Sequence, residues 1–291
     1  MAQKCNLCKL DKPLENSHII PKFIFKWLKK SGTGFFRSGE NFNVRVQDRI
    51  SLPFLCATCE DLFGDLETYF SNKIFYPVVQ EDIESFDYDE RLIRFLISVL
   101  WRNMEHALLD EFENEHHYQK LQEINSYWAQ YLLNPKSKYN SQAPVHLLCG
   151  VSEPRHPDGD ELDLPHRLIQ YFSRGIDVGI SGTDIYCMIF LKLPRFLVIV
   201  PVSGFSETDF ENTLIYPGKG FFEISDAGIL NPFIGDFFLN RVKAINDLFD
   251  NISPVQKKKL AQMRNEKWED IKDKDLGRII DYEQRFLNNN Q

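Results

Sequence analysis

Two short stretches, Cys5-Asn6-Leu7-Cys8 and Leu55-Cys56-Ala57-Thr58-Cys59-Glu60, decide the fold of the N-terminal region. Each Cys-x-x-Cys pair can bind one face of a tetrahedral ion from a single tight turn, and two pairs complete the coordination. Four of the six cysteines of the chain belong to these pairs. The spacing therefore predicts a structural Zn²⁺ ion bound by Cys5, Cys8, Cys56 and Cys59. Two disulfides are the weaker alternative, because nothing in the sequence marks the protein as secreted.

The composition is that of a folded protein with an acidic surface. The chain has 291 residues, of which 43% are hydrophobic, and this excludes a disordered protein. Its formal charge of −8 argues against a protein that coats nucleic acid along its whole surface. Residues 1–58 nevertheless hold ten Lys and Arg against four acids, a local charge of +6. This basic segment fits contact with phosphates, and equally fits a solvated lysine face.

Location in the cytoplasm is expected from two features. The N-terminus lacks the apolar stretch of a secretory signal peptide. The most apolar region, Ile185–Val202, is interrupted by Lys192, Pro194 and Arg195, and we therefore expect no membrane span. Reduced thiols and metal binding by the paired cysteines agree with a cytoplasmic protein.

Hydrophobic periodicity predicts helices in the first and last parts of the chain and strands of a sheet between them. Apolar residues recur at helical spacing over Lys22–Lys30, from Glu60 onward, and over Asp87–Phe112, Tyr118–Leu133, Ile234–Leu248, Pro254–Arg264 and Lys274–Phe286. Segments rich in β-branched and aromatic residues predict strands over Val145–Val151, Leu168–Arg174, Asp177–Ile180, Tyr186–Lys192 and Phe196–Val202, and a hairpin of Leu214–Tyr216 with Gly220–Ile224. The short spacing of these segments favours antiparallel pairing.

These elements indicate an α+β fold with two domains. We expect a zinc-binding domain over residues 1–83 and an α+β body over residues 84–291. The boundary falls near Val78–Phe86, where Pro77 and a run of acids interrupt the helical pattern. Within the body we expect helices over 84–140, a mainly antiparallel sheet over 141–225 and helices again over 226–291.

Three motifs in this order resemble the four-cysteine branch of the HNH endonucleases. They are the first Cys-x-x-Cys pair, the stretch Ser17-His18-Ile19-Ile20-Pro21, and the second Cys-x-x-Cys pair followed by Glu60. The resemblance covers only the N-terminal part of the chain and implies a treble-clef (ββα-metal) scaffold there. The chain is also similar to a group of bacterial proteins that share Ser-His-Ile-Ile-Pro-Lys and, downstream, Phe-(Ile/Val)-Ser-Leu-x-Trp-Arg, as in Phe95–Arg102.

The resemblance implies a catalytic role for His18. A neutral imidazole at this position would take a proton from water, and Mg²⁺ or Mn²⁺ beside the scissile phosphate would neutralise developing charge. Ser17 stands where the family usually has a metal-binding Asp, and Glu60 stands where it usually has a metal-binding His. The cation site is therefore either rebuilt from Glu60 and Asp48 or lost. His18 could equally be a core residue of its strand or an additional zinc ligand.

The family implies a metal-dependent endonuclease that hydrolyses phosphodiesters, with DNA as the expected substrate and RNA as an alternative served by the same residues. A bacterial defence effector against invading DNA is one such role. Phosphates would be contacted by Lys22, Lys26, Lys29, Lys30, Arg45 and Arg49. The acidic remainder would dock a protein partner or a second copy of the chain. The rival hypothesis, which the missing Asp and His favour, is a non-catalytic zinc module for recognition or structural support.

Overall fold

The structure is a computed structural model that describes residues 3–32, 36–37, 45–46, 51–113, 115–139, 143–150 and 167–289. The chain divides into two compact units. The first comprises residues 1–22, 49–149 and 176–230, and the second comprises residues 23–48, 150–175 and 231–291. The first unit has 15 Lys and Arg against 25 Asp and Glu, a charge of −10, and the second has 19 against 17, a charge of +2. The boundary near residue 83 stays a prediction.

Helices and strands alternate along the chain. The strands are β1 (Gln3–Lys4), β2 (Asp11–Lys12), β3 (Leu14–His18), β4 (Phe36–Arg37), β5 (Arg45–Val46), β6 (Ser51–Cys56), β7 (Ser85–Tyr88), β8 (His146–Cys149), β9 (Asp177–Gly182), β10 (Cys187–Leu193), β11 (Phe196–Ser203), β12 (Phe210–Glu211), β13 (Gly220–Glu223) and β14 (Gly228–Ile229). The helices are α1 (Lys22–Lys30), α2 (Ala57–Phe70), α3 (Tyr76–Glu81), α4 (Glu90–Asn103), α5 (Leu109–Glu111), α6 (Tyr118–Leu133), α7 (Leu168–Arg174), α8 (Pro232–Asp250), α9 (Pro254–Glu266), α10 (Trp268–Ile271) and α11 (Asp275–Asn289).

The largest sheet of the first unit has the strand order β8-β11-β10-β9. Its strands are antiparallel, as are all other strand pairs in the described part of the chain. All seven residues of β10 are buried, so both faces of the sheet are covered. The mixed α and β architecture with antiparallel pairing is therefore confirmed.

Helix α4 is the centre of the first unit. Every residue from Leu92 to Asn103 is buried, because α2, α6 and the sheet pack against different sides of α4. The ring of Phe95 stacks on Phe70 of α2 with centroids 4.0 Å apart, and Phe70 also contacts Phe196 of β11. Two π-helical segments, Ser71–Phe75 and Met104–Leu108, continue α2 and α4. The core of the first unit is thus built around one helix that is buried on nearly all sides.

The second unit is helical in its described part, except for β4 and β5. The guanidinium of Arg174, at the end of α7, donates hydrogen bonds to the carbonyl of Leu28 at 3.0 Å and to the hydroxyl of Ser31 at 3.0 Å. It also pairs with Asp275 at 3.3 Å and lies over the ring of Trp27. Arg174, which is half-buried, therefore joins α1, α7 and α11.

Two sequence predictions about secondary structure are wrong. Residues Leu168–Arg174 form a helix and not a strand. Their aromatic content is typical of strands, but their apolar side chains repeat at the three- and four-residue spacing of a helix. Strand β13 does not pair with Leu214–Tyr216 but with β7, at the register Phe222↔Phe86. Residues 213–215 instead bond to β8 and its preceding residue, where Leu147 N donates to Thr213 O.

Candidate metal centre and the neighbouring polar pair

The first Cys-x-x-Cys pair lies in a turn between the short strands β1 and β2. Cys5 N donates to Leu10 O at 3.0 Å and Lys9 N to Cys5 O at 2.9 Å, which closes the turn. The backbone of Lys9 has the left-handed conformation that this turn requires, with φ of 58°. The turn is attached to β6, because Asn6 N and its side-chain amide both donate to Phe54 O at 3.1 Å.

The second pair lies where β6 ends and α2 begins. Cys56 is the N-cap residue of α2, with an extended backbone, and Cys59 lies in the first turn. Backbone N–H groups at a helix N-terminus favour negative charge, and thiolates are therefore stabilised here. Strand β3 pairs with β6 at the register Leu14↔Cys56 and His18↔Ser51, so the turn, the two strands and the helix converge on the four sulfurs.

The four sulfur atoms form one cluster. All of them lie within 4.8 Å of one another. A tetrahedral site with metal–sulfur bonds of about 2.3 Å requires sulfurs about 3.8 Å apart. The Cys8 and Cys56 sulfurs are 3.8 Å apart, too far for a disulfide and correct for two ligands of one ion. The cluster can therefore hold a metal ion such as Zn²⁺.

The surroundings of the thiols differ. Burial raises the pKa of Cys5, but hydrogen bonds from the backbone of Cys56, Cys8 and Leu7 outweigh this effect and lower it to about 7. The Cys56 N–H lies 3.3 Å from the Cys5 sulfur. Burial raises the pKa of Cys8 and that of Cys59, the latter also through its hydrogen bond with Cys56. A dication at the cluster would offset this burial cost, because thiolates are the form that binds metal.

Beside the cluster, Ser17 and Glu60 form a polar pair. The Ser17 hydroxyl donates to a Glu60 carboxylate oxygen at 2.7 Å and accepts from Leu55 N at 3.2 Å. Ser17 is fully buried on β3, and Glu60 is half-buried in the first turn of α2. The two positions at which the resemblance suggested cation ligands are thus brought together, and their polar groups satisfy each other.

The other predicted site residues are distributed as follows. His18 is the half-buried last residue of β3. Lys22, Lys26, Lys29 and Lys30 are exposed on one face of α1, where they follow the spacing i, i+4, i+7 and i+8. Arg45 is described as part of β5, by its backbone only. Asp48 and Arg49 lie outside the described residues. Among the residues that the structure describes, the four cysteines are the one group of three or more close metal ligands.

A connection that the sequence did not suggest joins β3 to α4. The guanidinium of Arg102 donates to the carbonyl oxygen of His18 at 2.7 Å and to the Glu67 carboxylate at 2.9 Å. A signal was present in the sequence, because Arg102 directly follows the apolar residues Val99, Leu100 and Trp101, and an arginine buried with them requires a partner. A second connection joins the cysteine turn to the π-helical segment, through Lys9 and Glu105 at 2.5 Å.

Comparisons with known proteins leave the family open. No protein-family model matches the chain, and no curated protein or solved structure shows significant similarity to it. The resemblance to the HNH endonucleases therefore rests on the motifs around Cys5, His18 and Cys56 and stays a prediction. In the part of the chain that the structure describes, no helix has both the length and the apolarity to cross a membrane.

Proposed function

We propose that the chain is a zinc-stabilised, HNH-like protein that hydrolyses phosphodiester bonds of nucleic acid, with DNA as the expected substrate. In this proposal Cys5, Cys8, Cys56 and Cys59 hold Zn²⁺ at the base of a treble clef, and His18 acts as the general base. The observation that carries it is the convergence of the four sulfurs on the β3–β6 pair and on the first turn of α2. One ion would thereby fix both the strand that ends at His18 and the helix that carries Glu60.

The chemistry assigned to His18 is a single proton transfer. A neutral imidazole accepts a proton from water as the water oxygen attacks phosphorus and the bond to the leaving oxygen breaks. Zinc with four thiolates has no open position and would serve the fold rather than the reaction. The lysines of α1 would contact backbone phosphates, together with Arg45 and Arg49.

The proposed mechanism also includes a catalytic cation. Mg²⁺ or Mn²⁺ prefers carboxylate oxygens, and bound by Glu60 and Asp48 it would neutralise charge on the phosphate. Of these two residues the structure describes only Glu60, whose carboxylate accepts a hydrogen bond from Ser17. A single carboxylate is an incomplete cation site.

The Ser17–Glu60 hydrogen bond favours a second candidate function, a non-catalytic zinc module for recognition or structural support. In that case Glu60 is a structural acceptor that holds β3 against α2. The charge of −10 on the first unit points in the same direction, because nucleic acid is repelled by such a surface. This candidate requires neither a second metal ion nor His18.

A plasmid-cleavage assay tests the first candidate. Full-length protein loaded with zinc is incubated with plasmid DNA, and in parallel with labelled RNA, in Mg²⁺, Mn²⁺ or Ni²⁺. We expect cleavage by the natural chain and a loss of about 10²–10⁴-fold in His18→Ala, the usual contribution of a general base. His116→Ala is the control, since His116 is an exposed histidine far along the chain from the cysteine motifs, and it should cut normally.

Nucleic acid that stays intact with every cation would favour the second candidate. A His18→Ala variant that cuts as fast as the natural chain would contradict the role of His18 as the general base. Calorimetric titration of Mn²⁺ into the zinc-loaded protein separates the candidates independently of activity. The nuclease binds a second ion, whereas the non-catalytic module binds none.

A further inference from the structure

Arg102 is a buried cation at the meeting point of three elements of the first unit. Its side chain is 1% exposed. The Nη1 atom donates to the carbonyl oxygen of His18 at 2.7 Å and to a carboxylate oxygen of Glu67 at 2.9 Å, and Nε donates to Ser98 O at 3.2 Å. Strand β3, helix α2 and helix α4 are therefore joined through one guanidinium.

The two acids of α2 hold two successive residues of β3. Glu60 and Glu67 are seven residues apart and so share one face of the helix. Glu60 accepts a hydrogen bond from the Ser17 side chain, and Glu67 is linked through Arg102 to the backbone of His18. The end of β3 is thus fixed at two adjacent points against the helix that carries Cys59.

This arrangement costs stability in one respect. The Nη2 atom of Arg102 is buried and has no hydrogen-bond partner among the described residues. Buried ion pairs with an unsatisfied donor are often less favourable than apolar side chains of the same size, and their best-attested role is to fix one arrangement of the chain. The guanidinium carbon also lies 5.1 Å from the centroid of the Phe63 ring, a cation–π contact between α2 and α4.

We propose that Arg102 is a positioning residue for His18. By holding the carbonyl oxygen of His18 against Glu67, Arg102 fixes the backbone from which the imidazole extends. This role in catalysis rests on the proposed function of His18 as a base. Lysine cannot replace arginine here, because one ammonium group lacks the planar fork that serves the carbonyl, the carboxylate and Ser98 O together.

Arg94 provides a matched control on the same helix. It is also buried, at 7% exposure, and it donates to backbone carbonyls of Tyr131, Asn134, Pro135 and Ser137. These acceptors lie at and beyond the end of α6 and do not belong to the site. The variants Arg94→Lys and Arg102→Lys therefore both weaken a buried hydrogen-bond network, but only the second alters the support of His18.

The experiment compares zinc-loaded Arg102→Lys, Arg94→Lys and the natural chain at a temperature at which all three are folded. Zinc content and thermal unfolding report the structural effect. The ring resonances of ¹⁵N,¹³C-labelled histidine report the position of His18, which is identified among the seven histidines by the peak missing in His18→Gln. We expect the His18 resonances to shift in Arg102→Lys alone. We also expect its kcat to fall about 100-fold at unchanged KM, since small misplacements have effects of this size.

Each outcome decides one question. Unchanged His18 resonances in Arg102→Lys, or equal shifts in both variants, would overturn the positioning role. Shifted resonances with no loss of cleavage would limit Arg102 to a structural function. If the natural chain cuts no nucleic acid with any cation, the proposed function fails, and the resonances still show whether Arg102 holds the strand.

Discussion

The four-cysteine cluster and the Ser17–Glu60 pair lie side by side at the start of α2, yet they differ in completeness. The cluster has four sulfur atoms within 4.8 Å of one another, and those of Cys8 and Cys56 have the 3.8 Å separation of two ligands of a tetrahedral ion. The pair has one hydroxyl and one carboxylate, and each satisfies the other. Four cysteines that could hold a metal ion therefore lie next to a position where a cation site would need further ligands. An ion at the cluster would stabilise the fold, whereas a second ion for catalysis would need ligands beyond the Ser17–Glu60 pair.

The largest expected effect comes from breaking the cysteine cluster. Cys59→Ala removes one of four zinc ligands, and structural zinc contributes about 10–16 kcal/mol of binding free energy at neutral pH. This is comparable to the whole stability of a domain, about 5–15 kcal/mol. We expect the first unit to lose its fold, seen as loss of bound zinc and of the cooperative thermal transition.

The control for this experiment is Cys187→Ala, a fully buried cysteine of β10 outside the cluster. It should keep one zinc per chain and a cooperative transition. A Cys59→Ala variant that stays folded without zinc would show that the cluster does not hold the first unit together.

The second prediction concerns a variant that adds a carboxylate to the Ser17–Glu60 pair. Ser17→Asp places a second carboxylate beside Glu60, at the position where the HNH family usually has an aspartate. Two close carboxylates repel each other unless a cation lies between them. We expect Ser17→Asp to bind Mn²⁺ more tightly than the natural chain, measured by calorimetry on zinc-loaded protein. Equal Mn²⁺ binding in both proteins would mean that the pair does not face a cation site.

The third prediction measures the hydrogen bonds of the pair. Ser17→Ala leaves Leu55 N without its acceptor and Glu60 without its donor, and one unsatisfied buried polar group costs about 1–3 kcal/mol. We expect the free energy of unfolding of the zinc-loaded protein, measured with denaturant, to fall by this amount. Ser98→Ala is the matched control, because this buried hydroxyl donates only to Phe95 O in its own helix turn. Equal losses in the two variants would contradict a special role of the Ser17–Glu60 bond.

The smallest expected effect concerns a polar site that involves neither the cysteines nor the pair. His146 stacks on Phe210 and lies 2.8 Å from the Thr213 hydroxyl, and burial lowers its pKa to about 4. An unfolded histidine has a pKa of about 6.5 and takes up the proton first as the pH falls. The free energy of unfolding should therefore fall by about 1 kcal/mol between pH 8 and pH 6.

His146→Phe should remove this part of the pH dependence, measured by denaturant unfolding at saturating zinc. His116→Ala should leave it unchanged, because His116 is exposed. If the free energy of unfolding falls equally with pH in His146→Phe and in the natural chain, the acid sensitivity has another origin, such as the protonation of cysteines.

Local patterns were sufficient to predict several elements of the fold. The helices Lys22–Lys30 and Tyr118–Leu133 have the predicted bounds, because each has regular apolar spacing between residues that interrupt it. Ser253 caps α9, with its hydroxyl accepting from Gln256 N, as is typical of a serine directly before the first helical residue. The cysteine cluster was predictable for the same reason, since each of its halves is a four-residue motif.

Contacts between distant segments could not be predicted in this way. Strand β13 pairs with β7, more than a hundred residues earlier, and nothing in either segment specifies that partner. The hydrogen bonds of Ser17 to Glu60 and of Arg102 to His18 likewise join residues far apart in sequence. The cysteine cluster also joins distant segments, since Cys8 and Cys56 are 48 residues apart, but each of its halves is a Cys-x-x-Cys motif that the sequence shows directly. No such motif marks the partners of Ser17 and Arg102, and their contacts therefore appear only in the structure.

The most direct test is zinc analysis of the purified full-length chain by elemental measurement and X-ray absorption. The account predicts one Zn²⁺ per chain with four sulfur neighbours at about 2.3 Å and no nitrogen or oxygen ligand. A folded chain that contains no metal would contradict it, and so would a zinc ion with an open position occupied by water.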